Sequence, residues 1–354
     1  MSMLDLARPN VRAMQPYSSA RMEATRGGVL LNANESPWPP FASDDRDWNR
    51  YPDPQPAQLV ERLAGIFGVA SNQLLVGRGS DEAIDLLVRA FCEPGRDAIA
   101  ISPPTFGMYA VCARVQGADV VTIPLDENFH ADVEALMSSI SKNVKLVFLC
   151  TPNNPTGDVL TLDRIERVAR ELADRAMVIV DEAYIEFADT ASATTLLHRY
   201  ENLAVLRTLS KAWAMAGLRL GCLIANAEII SLLRRIMPPY PLPTPCVEAA
   251  LSALSDAGIA QATQRVATTV SERERVATAL RECTAIIDVL PSQANFLTVR
   301  CVDSAGLYRH LLSAGIVVRD VSHYPQLAQC LRFSIGTASE NDRLLGAIRS
   351  EGIS

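Results

Sequence analysis

The chain has 354 residues, with 33 Lys and Arg against 40 Asp and Glu, which makes its formal net charge −7. Because 49% of the residues are hydrophobic and 21% are charged, a disordered or fibrous chain is excluded, and the length predicts two domains. The acidic balance argues against a nucleic-acid-binding protein, since such proteins usually carry a basic face. No apolar run reaches the roughly 20 residues of a membrane helix, so we expect no membrane association.

Several features of the sequence predict a cytoplasmic protein without metal. The segment Met1–Asn10 carries Asp5, Arg8 and Pro9 and has no apolar secretion signal. None of the eight cysteines forms a C-x-x-C pair, and most lie in apolar stretches, which predicts reduced thiols rather than disulfides or a zinc site. The four histidines are scattered without metal-binding spacing, so we predict no metal site.

The predicted elements begin after an irregular N-terminal arm. Residues 1–40 contain prolines that prevent a long helix, and we expect this arm to pack with a smaller domain and with a partner subunit. From Gln58 onward, apolar stripes at helical spacing alternate with short apolar runs of strand length. The predicted helices contain Leu59–Phe67, Ile84–Phe91, Met108–Val115 and Leu162–Leu172, and the predicted strands are Leu74–Val76, Ala98–Ile101, Lys145–Cys150, Met177–Val180 and Leu203–Arg207.

A proline-rich segment predicts the domain boundary. Five prolines lie between Met237 and Pro245, a density that neither a helix nor a central strand tolerates. We therefore divide the chain into the arm at 1–40, a large cofactor-binding domain at 41–245 and a small C-terminal domain at 246–354. The small domain is predicted to start with one long helical region, Val247–Leu280. The short strands Phe296–Val299 and Leu331–Ile335 follow, with a helix between them.

The order of elements predicts an α/β fold. Alternating strands and helices with apolar strands indicate a large domain with a mostly parallel central sheet sandwiched by helices. The C-terminal elements indicate a smaller α/β or α+β domain.

Polar side chains follow four of the predicted strands at the point where each strand ends. They are Ser80-Asp81, Asn153-Asn154, Asp181 with Tyr184, and Ser210-Lys211. Because ligands of open α/β sheets bind beyond the carboxyl ends of the strands, we expect these groups to converge on one crevice.

Each of these residues has both a chemical and a structural interpretation. Apolar surroundings would lower the pKa of Lys211 and make its amine a nucleophile, whereas most lysines are solvated surface groups. Asp181 is suited to pair with a protonated ring nitrogen of a cofactor, or to cap a helix N-terminus. Tyr184 is suited to place its hydroxyl in the same pocket, or to pack.

The segment Gly79-Ser80-Asp81 opens a predicted helix, whose free N–H groups suit a phosphate. A dinucleotide fingerprint is incomplete, because Glu82 stands where its third glycine belongs. Arg219 is suited to add a bidentate phosphate contact, or to form a surface ion pair.

The motifs of this chain resemble those of the histidinol-phosphate aminotransferase family, whose members have fold type I and use pyridoxal 5′-phosphate. The resemblance covers nearly the whole chain. It rests on Asn32-Ala33-Asn34-Glu35-Ser36-Pro37, Tyr51-Pro52-Asp53-Pro54, Gly77-Arg78-Gly79-Ser80-Asp81-Glu82, Pro152-Asn153-Asn154-Pro155-Thr156-Gly157, Asp181-Glu182-Ala183-Tyr184, Ser210-Lys211-Ala212 and Leu331-Arg332-Phe333.

The resemblance implies a role for each matching residue. Lys211 would hold the cofactor covalently and move the substrate proton, and Asp181 would bind the ring nitrogen. Tyr184 and Asn154 would bind the ring oxygen, and Phe106 would stack on the ring. The phosphate would be held by Gly79, Ser80, Asp81, Ser210, Arg219 and, from the partner subunit of a homodimer, Tyr51. The substrate would be bound by Tyr17, Asn32, Arg319 and Arg332. Arg332 would bind the carboxylate of a carboxylate substrate, and Arg319 and Arg332 would together bind the phosphate of a phosphorylated one.

The activity implied by the resemblance is reversible amino transfer between L-histidinol phosphate and 2-oxoglutarate, which are converted to imidazole acetol phosphate and glutamate. Alternatives on the same scaffold are an aromatic amino-acid aminotransferase and a threonine-phosphate decarboxylase. A ligand-binding regulator would carry a basic DNA-binding extension, which we do not find in the sequence. One departure from the family is Phe106, which replaces a frequent tyrosine; it keeps the ring and loses the hydroxyl.

Overall fold

The computed structural model describes residues 3–15, 29–41 and 47–351, and its main feature is a seven-stranded sheet. The strand order is β1-β7-β6-β5-β4-β2-β3, and only β7 runs antiparallel to its neighbours. The strands are β1 (Leu74–Gly77), β2 (Ala98–Ile101), β3 (Asp119–Thr122), β4 (Val144–Cys150), β5 (Met177–Asp181), β6 (Leu203–Thr208) and β7 (Gly221–Ala225).

Helices cover both faces of this sheet, which explains why its central strands are apolar throughout. On one face α2 (Ala57–Phe67), α5 (Val133–Ser139), α6 (Leu162–Glu171) and α8 (Thr244–Ala253) pack against alternate strand residues. On the other face α3 (Ser80–Phe91), α4 (Met108–Gln116) and α7 (Ala227–Arg234) cover the intervening residues. The predicted fold class of the large layer is therefore confirmed.

The predicted strands and helices of this layer end within one or two residues of their predicted ends, except that α3 begins at Ser80, four residues before the predicted stripe at Ile84 and at the segment predicted to open a helix. The elements β3, β7, α5 and α7 were not predicted. β3 is a half-exposed edge strand with little apolar signal, and β7 follows a glycine-rich turn.

The beginning of the N-terminal arm packs on the large layer, whereas the packing predicted for residues 1–40 with the small domain and a partner subunit stays a prediction. Its short helix α1 (Pro9–Ala13) and the preceding turn bury Met3, Leu6 and Val11 against α3 and α7. Arg8 also pairs with Glu93 at 3.0 Å. The apolar residues of the arm, α3 and α7 lie in one buried cluster, so the removal of their apolar surface from water accounts for this packing.

The C-terminal region forms a second, antiparallel sheet in the order β10-β11-β9-β8. Its strands are β8 (Ile286–Val289), β9 (Phe296–Cys301), β10 (Arg319–Asp320) and β11 (Cys330–Ser334). One face packs against α9 (Asp256–Arg281), α10 (Ser304–Ser313) and α11 (Ala338–Glu351). Of the two predicted arrangements for this region, α/β and α+β, its antiparallel order is that of an α+β unit.

The long helix predicted over Val247–Leu280 is two helices, α8 and α9. The break follows from Ser255, whose side-chain oxygen accepts a hydrogen bond from the Gly258 N–H at 3.3 Å and so caps α9. The domain boundary predicted at 245/246 falls inside α8, which spans Thr244–Ala253. α8 packs in the core of the large sheet, whereas α9 packs on the second sheet. The position of the boundary stays a prediction.

The two sheets meet beside the carboxyl ends of the large sheet's strands. The hydroxyl of Thr298 on β9 donates to the Pro155 carbonyl. In addition, the hydroxyl of Tyr324 donates to the Thr105 carbonyl at 2.8 Å. These bonds hold the second sheet over the crevice described below. None of the helices in the described ranges has the length and apolarity needed to cross a membrane.

Candidate active site

A cleft of about 260 Å³ opens where β4, β5 and β6 end, between the two sheets. It is the crevice that the polar strand-end residues predict. Its lining consists of Ser80, Asp81, Phe106, Cys150, Asn154, Asp181, Ala183, Tyr184, Thr208, Ser210, Lys211, Ala216, Arg219 and Arg332.

Asp181 ends β5 at the floor of the cleft and is only 3% exposed. One carboxylate oxygen accepts the Tyr109 hydroxyl at 2.6 Å, and the other accepts the Ala183 N–H at 3.1 Å. Burial raises the pKa of Asp181 to about 6, because the charged form has lost its water, although both hydrogen bonds oppose the shift. A buried carboxylate of this kind is suited to pair with a cation that enters the cleft.

Asp181→Asn is expected to stabilise the protein without cofactor at neutral pH. The folded-state pKa of Asp181 lies above its ordinary value, so the folded chain binds this proton more tightly than the unfolded chain does. Wild-type stability should therefore fall as the pH rises from about 4 to about 6 and stay reduced above that range. The asparagine chain should avoid this loss, which amounts to about 2–3 kcal/mol at pH 7.

The free energy of unfolding, measured by urea titration across this pH range, tests the prediction. The matched control is Asp163→Asn at an exposed position of α6, which should change stability little at any pH. A stability difference between Asp181→Asn and wild type that stays constant from pH 4 to pH 8 would contradict the argument.

Lys211 follows β6 and lines the cleft. Its Nζ lies 5.6 Å from the centre of the Tyr184 ring. The cleft walls remove part of the hydration of its ammonium group, and the like charges of Arg332 and Arg219 add to this effect. Together they lower the pKa of Lys211 against the opposing pull of Asp81 and Asp181. A lowered pKa increases the fraction of free amine, which is the nucleophilic form.

Asn154, Tyr184 and Arg332 form a hydrogen-bonded group across the cleft. The side-chain amide nitrogen of Asn154 donates to the Tyr184 hydroxyl at 3.3 Å. The Arg332 guanidinium donates to the side-chain oxygen Oδ1 of Asn154. Phe296 on β9 supports both neighbours, with its ring 5.2 Å from that of Tyr184 and 5.1 Å from the guanidinium of Arg332. The second sheet thus delivers one cation, Arg332, into a cleft otherwise built by the first.

The loop between β1 and α3 has the chemistry of a phosphate site. Gly79 adopts a φ of +83°, and the first N–H groups of α3 at Ser80 and Asp81 have no partners within the helix. A side chain at 79 would collide with the Arg219 guanidinium, since its Cβ would lie 2.9 Å from Nη2. Arg219 also lies 3.6 Å from the Asp81 carboxylate, so both of its predicted interpretations, phosphate contact and ion pair, are compatible with its position.

β7 packs directly under this loop because Gly221 has no side chain. A Cβ at 221 would lie 2.4 Å from the Ser80 nitrogen, which is closer than any real contact. The cleft therefore offers, in one place, an amine, a carboxylate, the aromatic ring of Phe106 and a set of N–H and guanidinium donors. These groups fit a phosphorylated pyridine aldehyde.

A second, outer pocket of about 470 Å³ continues from the cleft. Arg319 and Arg332 are direct partners across β10 and β11, and both line it. Phe106, Met108, Val111 and Tyr324 form much of the remaining wall. The pocket combines two guanidinium groups with an apolar and aromatic surface.

Three residues predicted for the site lie away from it in the single chain or cannot be placed. Tyr51 is half-exposed and stacks on Tyr240 at 4.4 Å, outside the lining of its own cleft. Asn32 is exposed and also does not line the cleft. Tyr17 falls outside the described residues.

The sequence model of the family described as aminotransferase class I and II matches residues 22–348 of this chain. The chain belongs to the class I and II aminotransferases. Among curated relatives of this aminotransferase, histidinol-phosphate aminotransferase of Xanthomonas axonopodis pv. citri (strain 306) is 53% identical over 352 residues, which cover 98% of this chain and 97% of the relative. The enzyme of the same name from Stenotrophomonas maltophilia (strain R551-3) is also 53% identical, over 349 residues, with 98% and 96% covered.

Solved structures of aminotransferases have the same fold. Histidinol-phosphate aminotransferase from Clostridium acetobutylicum matches with a TM-score of 0.78 at 27% identity, covering 86% of this chain and 91% of the other. The Sinorhizobium meliloti enzyme, solved in complex with pyridoxal-5′-phosphate, matches with a TM-score of 0.78 at 25% identity, covering 87% and 84%. The predicted family and fold type I are thereby confirmed.

Three residues near the cleft of this aminotransferase had no predicted role, namely Cys150 and Thr208, which line it, and Tyr109, which lies beneath it. Cys150 and Thr208 are the last residues of β4 and β6, so the strand-end argument could have included them. Tyr109 lies three residues after Phe106, a spacing that places both near the start of α4.

Proposed function

We propose that this aminotransferase binds pyridoxal 5′-phosphate and transfers an amino group between L-histidinol phosphate and 2-oxoglutarate in histidine biosynthesis. The observation that carries the proposal is a pair of adjoining pockets that share Phe106, Asn154 and Arg332 in their linings. Lys211 and Asp181 line the inner pocket, and Arg319 and Arg332 line the outer one. The names of the relatives that are 53% identical over nearly the full length support the same substrate.

The residues that would hold the cofactor follow from the donor set. Gly79, Ser80, Asp81, Ser210 and Arg219 would bind its phosphate, Asp181 its ring nitrogen, and Asn154 and Tyr184 its ring oxygen. Phe106 would cover the ring. When bound, the cofactor supplies a pyridinium ring that acts as an electron sink for the substrate α-carbon.

Lys211 would act as the acid and base of the reaction. Its amine, deprotonated at lower pH than an ordinary lysine, would accept the proton from the substrate α-carbon and, as an ammonium group, would donate it to the cofactor. Asp181 would keep the ring nitrogen protonated, because a buried carboxylate strongly favours a cation at contact distance. The keto product of the amino donor would leave before the amino acceptor binds, so the kinetics should be ping-pong.

The outer pocket explains how one site would accept two different substrates. Histidinol phosphate brings a phosphate and glutamate brings carboxylates, and planar guanidinium groups bind either anion through paired hydrogen bonds. Arg319 and Arg332, which are partners on adjacent strands, would supply these bonds. The aromatic wall around Tyr324 would contact the imidazole.

We also propose a cytoplasmic homodimer in which Tyr51 reaches the partner's cleft. Val29, Leu31 and Trp38, at 87%, 85% and 75% exposure, form an apolar segment that a second copy would cover. Arg50 forms an ion pair with Glu35 at 3.0 Å, which connects this segment to the residue next to Tyr51. The molar mass in solution tests the dimer, and the eight free thiols accord with a reducing compartment.

The substrate proposal is tested by comparing purified protein on histidinol phosphate, phenylalanine and threonine phosphate. We expect kcat/KM for histidinol phosphate with 2-oxoglutarate to exceed that for phenylalanine by at least about 100-fold. A phosphate that pairs with two arginines should contribute several strong hydrogen bonds that phenylalanine cannot form. Glutamate formation provides the readout.

Two results would overturn the proposal. Equal or faster turnover of phenylalanine would assign the chain to the aromatic amino-acid aminotransferases. Release of carbon dioxide from threonine phosphate without a keto acid would assign it to the decarboxylases.

A further inference from the structure

The Tyr109 hydroxyl occupies an unusual position under the cleft floor. Tyr109 lies on α4, is 0% exposed and does not line the cavity. Its hydroxyl lies 2.6 Å from Oδ2 of Asp181, the carboxylate that faces the cleft from the end of β5. The contact therefore links Tyr109, which does not line the cleft, to the residue that would bind the cofactor.

The ring of Tyr109 is packed between two aromatic neighbours. Phe148 on β4 stacks on one face of the ring at 4.6 Å with an interplanar angle of 13°. Phe106 meets it edge-on at 5.6 Å and 82°. Because aromatic packing fixes the ring on two sides, the hydroxyl is preorganised toward Asp181 rather than recruited by it.

Tyr109 supplies the side-chain hydrogen bond to a carboxylate that has lost its water. The charged and titratable groups that face Asp181 are Cys150 on β4, Asp81 on α3, Lys211 after β6 and Tyr109 itself. Of these, Asp81 disfavours the ionised carboxylate, and Lys211 favours it only through its charge. The remaining hydrogen bond comes from the Ala183 backbone to the other oxygen.

Electrostatics support the direction of this effect. Burial raises the pKa of Asp181 to about 6, and the bond from Tyr109 is the largest influence that lowers it. Burial also keeps the pKa of Tyr109 well above its ordinary value, so this phenol remains a proton donor throughout the physiological range.

We infer that Tyr109 is a positioning residue, whose hydroxyl holds Asp181 ionised and oriented toward the ring nitrogen of the cofactor. The inference rests on the proposed cofactor and names a residue outside the contact shell. Without the hydroxyl, the carboxylate would gain a proton or turn, and in either case it would bind a protonated ring nitrogen less well. The phosphate cradle and the Lys211 amine would be unchanged.

Tyr109→Phe tests this inference because it removes one hydroxyl and retains the packed ring. The matched control is Tyr200→Phe, which removes a hydroxyl that donates to the Glu166 carboxylate at 2.8 Å, remote from the cleft. The dissociation constant is measured for pyridoxal phosphate and for its analogue with CH in place of the ring nitrogen. We expect Tyr109→Phe to weaken pyridoxal phosphate roughly 10- to 100-fold and to leave the analogue unchanged.

The ring-nitrogen analogue separates positioning from general structural damage. Equal weakening of both ligands by Tyr109→Phe, or no weakening of either, overturns the inference. Transamination by Tyr109→Phe should also show a lower kcat with an unchanged KM for glutamate, whereas Tyr200→Phe should match wild type in every measurement.

A second variant decides the question if Tyr109→Phe does not fold. A fluorinated tyrosine at 109 has a more acidic phenol and donates a stronger hydrogen bond, so it should tighten pyridoxal phosphate and leave the analogue unchanged. Weaker or unaltered binding of pyridoxal phosphate by this variant overturns the inference. If the wild type itself binds neither ligand, the proposed function fails. If the wild type binds pyridoxal phosphate and the Tyr109 variant binds it equally well, only the inference about Tyr109 fails.

Discussion

Lys211→Ala is expected to abolish transamination and to remove the visible absorbance band of protein incubated with pyridoxal phosphate. The alanine lacks both the amine that would bind the cofactor aldehyde and the group that would move the substrate proton. Loss of acid–base catalysis alone should lower kcat by at least about 1,000-fold. The phosphate cradle at Ser80 and Arg219 remains, so the cofactor should still bind without its covalent bond.

Two companion variants sharpen this test. Lys211→Arg keeps the positive charge and removes the nucleophile, since a guanidinium does not lose its proton at accessible pH; it should be as inactive as the alanine chain. Lys142→Ala, at an exposed position before β4, should retain both the band and the activity. Persistence of the band in Lys211→Ala would show that another amine holds the cofactor.

Arg332→Gln is expected to lower kcat/KM in both half-reactions by about 100-fold. Both amino donors are anions, and a charge-assisted hydrogen bond contributes roughly 1.5–3 kcal/mol. Removing Arg332 also leaves the side-chain oxygen of Asn154 without this donor, so the contact proposed between Asn154 and the ring oxygen of the cofactor should weaken. Arg332→Lys should recover part of the activity, because it restores the charge and not the paired geometry.

The same variant carries a pH signature. Arg332 lowers the pKa of Lys211 through like charge, so its removal should raise that pKa. The rate at which protein without cofactor captures pyridoxal phosphate should then rise at higher pH in Arg332→Gln than in wild type, with Arg332→Lys unshifted. Arg309→Gln, an exposed arginine of α10, is the control. In the activity measurement, a loss of kcat/KM in only one half-reaction of Arg332→Gln would show that Arg332 binds only one of the two substrates.

Much of the cleft could be predicted from the sequence because parallel strands end at one edge. Asp181, Lys211 and Asn154 each follow an apolar run, and this placement alone brings them together. The family motifs added Arg332, which lies on the second sheet and whose approach to the cleft no local pattern indicates.

Other features depend on contacts between distant segments and therefore left no local signal. The packing of Leu6 and Val11 on the large layer depends on a groove formed by α3 and α7. Likewise, the bond from Tyr109 to Asp181 joins positions 72 residues apart, and its strength comes from burial that only the folded chain creates. The cap at Ser255 did have a local signal, because serine is a favoured N-cap residue, but the sequence between Val247 and Leu280 was interpreted as one helical region.

The separation of tasks between the two sheets has an evolutionary consequence. Lys211 and Asp181 belong to the rigid seven-stranded layer, whereas Arg319 and Arg332 lie on the antiparallel layer that Thr298 and Tyr324 join to it. New specificities can therefore arise by mutation of the antiparallel layer while the reactive amine and its carboxylate stay untouched. A chimera that takes its C-terminal layer from a relative of different substrate preference should adopt that preference and keep the same chemistry.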